Sequence, residues 1–190
     1  MKITDTAIKE VKIIEPKIFG DNRGYFFESW NEKAFTEAGI NCKWVQDNES
    51  KSRFGVLRGL HFQAAPYTQA KLVRVIHGAV LDVAVDIRKG SPTFGQHVAV
   101  ELSGENKRQL FVPRGFAHGF AVLSEEVIFA YKCDNAYMPS HERGIAFDDP
   151  DLGIDWQVSV DKFILSAKDT VNPRLKDAEV FNFATGEYLQ

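Results

Sequence analysis

His61 stands close in sequence to two cations, Arg58 and Lys71, in the otherwise largely apolar stretch 56–71. Core strands rarely carry that much charge without a use, because an unpaired buried ion is costly. Cations beside a histidine favour its neutral, basic form. The same cations can hold an anion, or an oxyanion that develops during a reaction. A base beside an oxyanion stabiliser is the minimum equipment for taking a proton from carbon next to a carbonyl. The bland reading is a structural histidine satisfied within its strand, and Arg58 and Lys71 tip the balance towards chemistry. Strict strand alternation puts Arg58 and His61 on opposite faces. Gly59, between them, is where a bulge would re-aim one side chain.

Several more groups are candidates to join this base. Pro113, Gly115 and His118 outline the second cupin signature, a turn followed by a histidine that points into a barrel. The first signature needs His-x-His, and the chain offers His61-Phe62-Gln63 instead. Zinc or iron would want three or four ligands, so no metal is expected. His118 then donates to a substrate oxygen or phosphate, oriented by Asp82, or is simply a core histidine. Tyr131 ends an apolar run and is either a packed interface residue or a proton donor. Tyr137 offers a stacking surface and Glu142 a hydrogen-bond acceptor. Arg23 sits in a turn before the aromatic run Tyr25-Phe26-Phe27, and its guanidinium fork suits a diphosphate; the dull reading is a surface turn and a dimer strand. Gln46 and Asn48, two apart, share a strand face. Ser166-Ala167-Lys168-Asp169 alone reads as ordinary surface.

The elements that must position these groups are mostly short β-branched runs. Strands are expected over residues 8–14, 25–30, 44–50, 55–63, 71–76, 79–87, 95–102, 109–112, 116–123 and 127–133. Turns fall at 20–24, 77–78 and 103–106. One helix is expected at 31–38, with Asn31 as N-cap and Gly39 as stop. Short helices are expected at 161–165 and 173–177. Within 79–87, Leu81, Val83, Val85 and Ile87 share one face, and Val80, Asp82, Ala84 and Asp86 the other. Strands at short, regular spacing mean a β-sandwich or barrel rather than alternating β and α.

The 190 residues suit one domain, with residues 150–190 as a C-terminal appendage. At 44% hydrophobic and 12% aromatic the chain can bury a sizeable core, and fifteen of its residues are phenylalanine. A net charge of −3 leaves no footprint for nucleic acid. No apolar run is long enough to span a membrane, and the N-terminus lacks the apolar region of a secretion signal. Cys42 and Cys133 are far apart without a CxxC pattern and read as reduced thiols, so the expected location is cytoplasmic.

Together these motifs resemble the dTDP-4-dehydrorhamnose 3,5-epimerase family. The resemblance runs from Gly20 to Asp169. It rests on Asp21-x-Arg23-Gly24-Tyr25-Phe26, Gln46-Asp47-Asn48-Glu49-Ser50, Leu57-Arg58-Gly59-Leu60-His61-Phe62-Gln63 and Lys71-Leu72-Val73-Arg74-Val75. It continues through 81–88, 91–95 and 112–120, Tyr131-Lys132-Cys133-Asp134, Gly144-Ile145, 148–150 and Ser166-x-Lys168-Asp169. It implies an all-β, cupin-like jelly roll with a few short helices, assembled as a homodimer whose N-terminal strands add to the partner's sheet. It implies a dTDP-4-keto-6-deoxyhexose substrate, epimerised at C3 and C5, and no cofactor. By position His61 is then the base, Asp169 its partner, Tyr131 the acid and Lys71 the group at the keto oxygen. Arg23, Phe26, Glu28, Gln46, Asn48, Arg58, His118, Tyr137, Glu142 and Lys168 fall on substrate-binding positions. Relatives that invert one centre share most of these residues. A metal-dependent cupin and a non-catalytic nucleotide-sugar binder are the remaining rivals.

Overall fold

The computed structural model describes residues 1–189. In chain order its elements are β1 (Lys2–Asp5), β2 (Lys12–Glu15), β3 (Phe19–Asp21), β4 (Gly24–Phe26), α1 (Glu32–Glu37), β5 (Gln46–Arg53), β6 (Leu57–Gln63), β7 (Lys71–His77) and β8 (Ala79–Asp86). Then come β9 (Arg88–Lys89), β10 (His97–Ser103), β11 (Gln109–Val112), β12 (Phe116–Val122), β13 (Glu126–Cys133), β14 (Glu142–Gly144) and β15 (Phe181–Asn182). Short 3-10 turns occupy Val160–Lys162 and Leu175–Asp177.

Two antiparallel sheets face each other. One runs β1-β2-β11-β7-β13-β5, the other β10-β8-β12-β6-β14. This is the expected jelly roll. Alternation decides what lies between the sheets. Val80, Ala84, Phe116, Phe120 and Val122 point inward from the second sheet and join Val73, Val75, Leu110, Val112, Val127 and Phe129 from the first. The outer face of the second sheet is also buried. There Leu57, Leu60, Phe62, Leu81, Val83, Val85 and Ile87 pack against Phe147, Leu152, Trp156, Leu175, Phe181 and Tyr188 of the C-terminal segment. Both faces of β8 are therefore covered, which accounts for its nearly unbroken apolar sequence.

α1 starts where Asn31 Oδ1 accepts the Ala34 N–H at 3.1 Å and ends before Gly39, which takes φ +81°. Its Phe35 is buried with Leu72 and Phe111 on the outside of the first sheet.

Three expectations need correction. Residues 8–14 are not one strand. The Val11 N–H bonds to Ile8 O, and the Thr6 hydroxyl bonds to the carbonyls of Ile8 and Val11, so the segment turns before β2. The turn lets Ile8 and Val11, three apart, both enter the core, which a strand would forbid. The strand expected at 25–30 stops at Phe26, because its partner β3 is only three residues long. β14, too short to leave a periodic signal, was not among the expected strands and carries Glu142. Among the described residues no helix is long and apolar enough to cross a membrane.

Candidate active site

The bulge expected at Gly59 is present. β12 pairs His118 with His61 and Phe120 with Arg58, so two steps on β12 oppose three on β6. Gly59 takes φ +137°, and a Cβ there would lie 2.5 Å from Gly119 Cα. Leu57, Leu60 and Phe62 therefore stay on the outer core face while Arg58, His61 and Gln63 take the other. Without the extra residue, Arg58 and His61 would oppose each other.

His61 is held by the C-terminal segment. Its Nε2 meets Asp169 Oδ1 at 2.5 Å, with the His61 side chain 20% exposed and that of Asp169 2%. The Ser166 hydroxyl donates to Asp169 Oδ2 at 2.6 Å. Burial pushes the Asp169 carboxyl up, but the bonds from His61 and Ser166 and the charge of His61 outweigh it and hold Asp169 below the ordinary carboxylate range. A carboxylate fixed in this way sets the ring orientation and stabilises an imidazolium.

Directly across the strand pair, His118 Nε2 donates to both oxygens of the buried Asp82 at 3.0 Å. The orienting role expected of Asp82 is therefore present in the geometry. His118 also stacks on Phe129, 6.4 Å between ring centres.

Lys71 and Tyr131 come from the facing sheet. The Lys71 ammonium makes no hydrogen bond or ion pair among the described residues. Burial lowers its pKa, with Lys168 acting the same way, while Cys133, Asp82 and Glu142 oppose the change. Tyr131 packs beside Phe129 at 6.0 Å and its hydroxyl has no hydrogen-bond partner among the described residues. Burial raises its pKa, Cys133, Glu142 and Tyr137 add to that, and the Arg58 guanidinium counters it. His61, Gln63, Lys71 and His118 line one small cavity.

A polar chain borders this group. Gln46 donates to Asn48 at 2.9 Å and accepts the Tyr137 N–H at 3.0 Å. The Tyr137 hydroxyl donates to Glu142 at 2.9 Å, and Lys168 donates to the other Glu142 oxygen at 2.6 Å. Burial raises the Glu142 pKa, and the bonds from Lys168 and Tyr137 more than reverse it. Arg58 rests on the Ser52 hydroxyl at 3.2 Å.

Three expected site residues are not in this group. Arg23 pairs with its neighbour Asp21, Glu28 accepts from Asn31, and Phe26, 65% exposed, meets the Phe19 ring. They lie on or just beyond the exposed β3–β4 hairpin, and among the described residues they make no hydrogen bond, ion pair or ring contact with the cavity residues.

Four contributors carried no assigned role from sequence. Gln63 accepts the Met138 N–H at 2.7 Å and donates to Tyr67 O at 2.6 Å, fixing the loop that presents Tyr137. Its position two residues after His61, on the same face, was the available signal. Ser166 sits three residues before Asp169, the spacing of a local hydroxyl–carboxylate turn. Cys133 accepts from Asn48 at 3.8 Å and opposes Lys71 across the strands. Phe181 completes the cavity wall from far along the chain, with no sequence signal. Among the described residues no group of three or more His, Cys, Asp or Glu is placed to hold a metal.

Residues 5–177 match the family described as dTDP-4-dehydrorhamnose 3,5-epimerase. The chain is 55% identical over 182 residues to the dTDP-4-dehydrorhamnose 3,5-epimerase of Shigella flexneri, covering 95% of this chain and 99% of that one. It superposes with TM-score 0.92 and 53% identity on the dTDP-6-deoxy-D-glucose-3,5-epimerase of Legionella pneumophila Philadelphia 1, solved in complex with dTDP-4-keto-L-rhamnose; the match covers 96% of this chain and 98% of that one. A 3'-monoepimerase from Streptomyces bikiniensis, in complex with dTDP-quinovose, is 31% identical at TM-score 0.89, covering 98% and 99%.

Proposed function

Given that the chain belongs to the dTDP-4-dehydrorhamnose 3,5-epimerase family, we propose that it converts dTDP-4-dehydro-6-deoxy-D-glucose to dTDP-4-dehydro-L-rhamnose by inverting C3 and C5. It is an isomerase of the rhamnose route. The 4-keto group acidifies the hydrogens on both neighbouring carbons, since either carbanion delocalises onto the same oxygen. His61, held by Asp169, takes the proton. The Lys71 ammonium stabilises the enolate oxygen. Tyr131 returns a proton from the other face of the ring, and that opposition inverts the centre. The observation that supports this most directly is that base and acid stand on opposed sheets, His61 on β6 and Tyr131 on β13, with Lys71 beside Tyr131 on β7.

Arg58 and His118 suit the diphosphate and sugar oxygens. Gln46, Asn48, Tyr137, Glu142 and Lys168 form a rim suited to the sugar and thymine. The protein acts as a homodimer in which the β3–β4 hairpin reaches across, so that Arg23, Phe26 and Glu28 of the partner subunit close the nucleotide end. Two features support this: Phe19, Tyr25 and Phe26 are more than half exposed in the lone chain, and Arg23, Phe26 and Glu28 make no hydrogen bond, ion pair or ring contact with the cavity residues among the described residues. The 190 residues work as one domain with 150–190 as its appendage, in the cytoplasm, where nucleotide sugars and free thiols coexist.

NMR of the 4-keto sugar nucleotide incubated with the enzyme in deuterated water tests the reading. Deuterium at both C3 and C5 is expected. Label at one carbon would make the enzyme a single-centre epimerase like the Streptomyces bikiniensis protein, and no label would end the proposal.

A further inference from the structure

The cavity holding His61, Lys71 and His118 is closed on one side by the C-terminal segment. Its free space is about 10 Å³, room for roughly one water. Besides those three residues it is bounded by Thr68, Phe116 and Phe181. Phe181 lies in β15, beyond residue 177 where the family match ends. Several contacts fix it there. β15 pairs in parallel with β9, Phe181 opposite Arg88. The Phe181 ring meets Phe62 edge-on at 5.6 Å and Tyr188 at 6.1 Å. The Thr68 hydroxyl donates to Tyr188 O at 2.8 Å.

Arg88 is the anchor. Its guanidinium lies over the rings of Phe116, Phe183 and Tyr188 at 4.6, 5.3 and 5.5 Å. It binds Asp86 through Nε and Nη2 at 2.8 and 2.7 Å, and Asp86 also accepts from Ser91 and Thr93 at 2.6 Å each. Arg88 and Asp86 are both buried. Gly115 is required beside them, since a Cβ there would lie 2.6 Å from Arg88 Cδ and 2.9 Å from Tyr188 Cδ2. The anchor shares Phe116 with the cavity wall.

We propose that the segment from Phe181 to Tyr188, pinned by Arg88, is the floor beneath the catalytic side chains His61 and Lys71. It keeps water from beneath His61 and Lys71 and holds both side chains in place, so Tyr188 and Arg88 are positioning residues for proton transfer. A dry floor strengthens the field of the Lys71 ammonium on the enolate. A small displacement of the base is expensive in rate, because proton transfer needs close alignment. This inference rests on the epimerase reading.

The test compares Tyr188→Ala, Phe181→Ala and Tyr188→Phe. The Tyr188 hydroxyl has no partner among the described residues, so phenylalanine keeps the ring contacts. The expected result is a kcat lowered by about tenfold or more in both alanine variants, dTDP affinity by calorimetry within about twofold of wild type, and rescue by Tyr188→Phe. Alanine variants that fold and turn over at the wild-type kcat would overturn the proposal. So would kcat and dTDP affinity falling together in Phe181→Ala, which would make the tail a support of the fold alone. Should Tyr188→Ala not fold, Phe181→Leu, which trims the wall and leaves the Arg88 cage whole, is read against the same two outcomes. An inactive wild-type protein would sink the epimerase reading by itself. Amide exchange in β6 then decides the floor: faster exchange in Phe181→Ala than in wild type upholds it, and equal exchange overturns it.

Discussion

In the proposed mechanism His61, Asp169, Lys71 and Tyr131 carry the chemistry, and each does so through its surroundings. Replacing His61 with asparagine should lower kcat by about 10²–10⁴, the usual worth of a positioned base. Deuterium incorporation should fall at both carbons; loss at only one would mean that a second base serves the other. Lys71→Met removes the oxyanion donor and should cost about 10²–10³ in kcat with little change in dTDP binding. The pH profile follows from the same lysine. Its pKa lies below the ordinary lysine value, chiefly through burial, so it loses its charge as pH rises through a lower value than usual. The alkaline limb of kcat should therefore fall below about pH 10.4, the ordinary lysine value. The groups facing Lys71 are Asp82 on β8, Cys133 on β13, Glu142 on β14, Lys168 in the C-terminal segment, and His61 and His118 across the cavity. A limb at or above the ordinary value would mean that Lys71 is wet or unused. Asp169 has the opposite sign. Its depressed pKa contributes stability above the unfolded carboxylate value, and that stability is lost as pH falls through the folded value.

At the scale of elements, the bulge in β6 decides whether the residues can act together. Gly59 combines a positive φ with the close approach of Gly119, and a side chain satisfies neither. Gly59→Ala should cost about 1–3 kcal/mol for the backbone conformation alone, with more from the contact. Thermal melting of the variant should show a drop of several degrees, and activity should fall further than the loss of folded protein explains. An alanine variant with wild-type melting and kcat would mean that the bulge is not needed. The same element shows where sequence reading works. Alternation alone puts Arg58 and His61 on opposite faces, so the sequence marked Gly59 as the place for a bulge, and the pairing of β6 with β12 decided that it is there. Nothing comparable marked β14. It is three residues long, and Glu142 owes its place to pairing opposite Gln63.

For the whole molecule, the hairpin carrying Arg23 and Phe26 is held in its own chain through Tyr25, whose hydroxyl accepts from Lys107 at 3.0 Å, while Arg23 and Phe26 themselves stay exposed. If each cavity is completed by the other subunit, co-expressed Arg23→Ala and His61→Asn chains form mixed dimers with one cavity bearing both lesions and one bearing neither. Activity should then recover to about a quarter of wild type from two nearly inactive parents. No recovery above the parents would place Arg23 outside the shared site. The jelly roll was legible in the bare chain, and the family resemblance named His61, Tyr131 and Lys71 as candidates for base, acid and keto-oxygen group. Strand alternation and residue chemistry are local properties, and ordered motifs carry them without coordinates. The folded path turns the expected pairings of His61 with Asp169, 108 positions apart, and of His118 with Asp82 into contacts, and it alone brings Phe181 to the cavity wall. The Asp169 and Phe181 contacts follow from how the C-terminal segment wraps the outer sheet, whereas Asp82 meets His118 between the paired strands β8 and β12; no periodicity in a single chain encodes the path of an irregular segment over a surface.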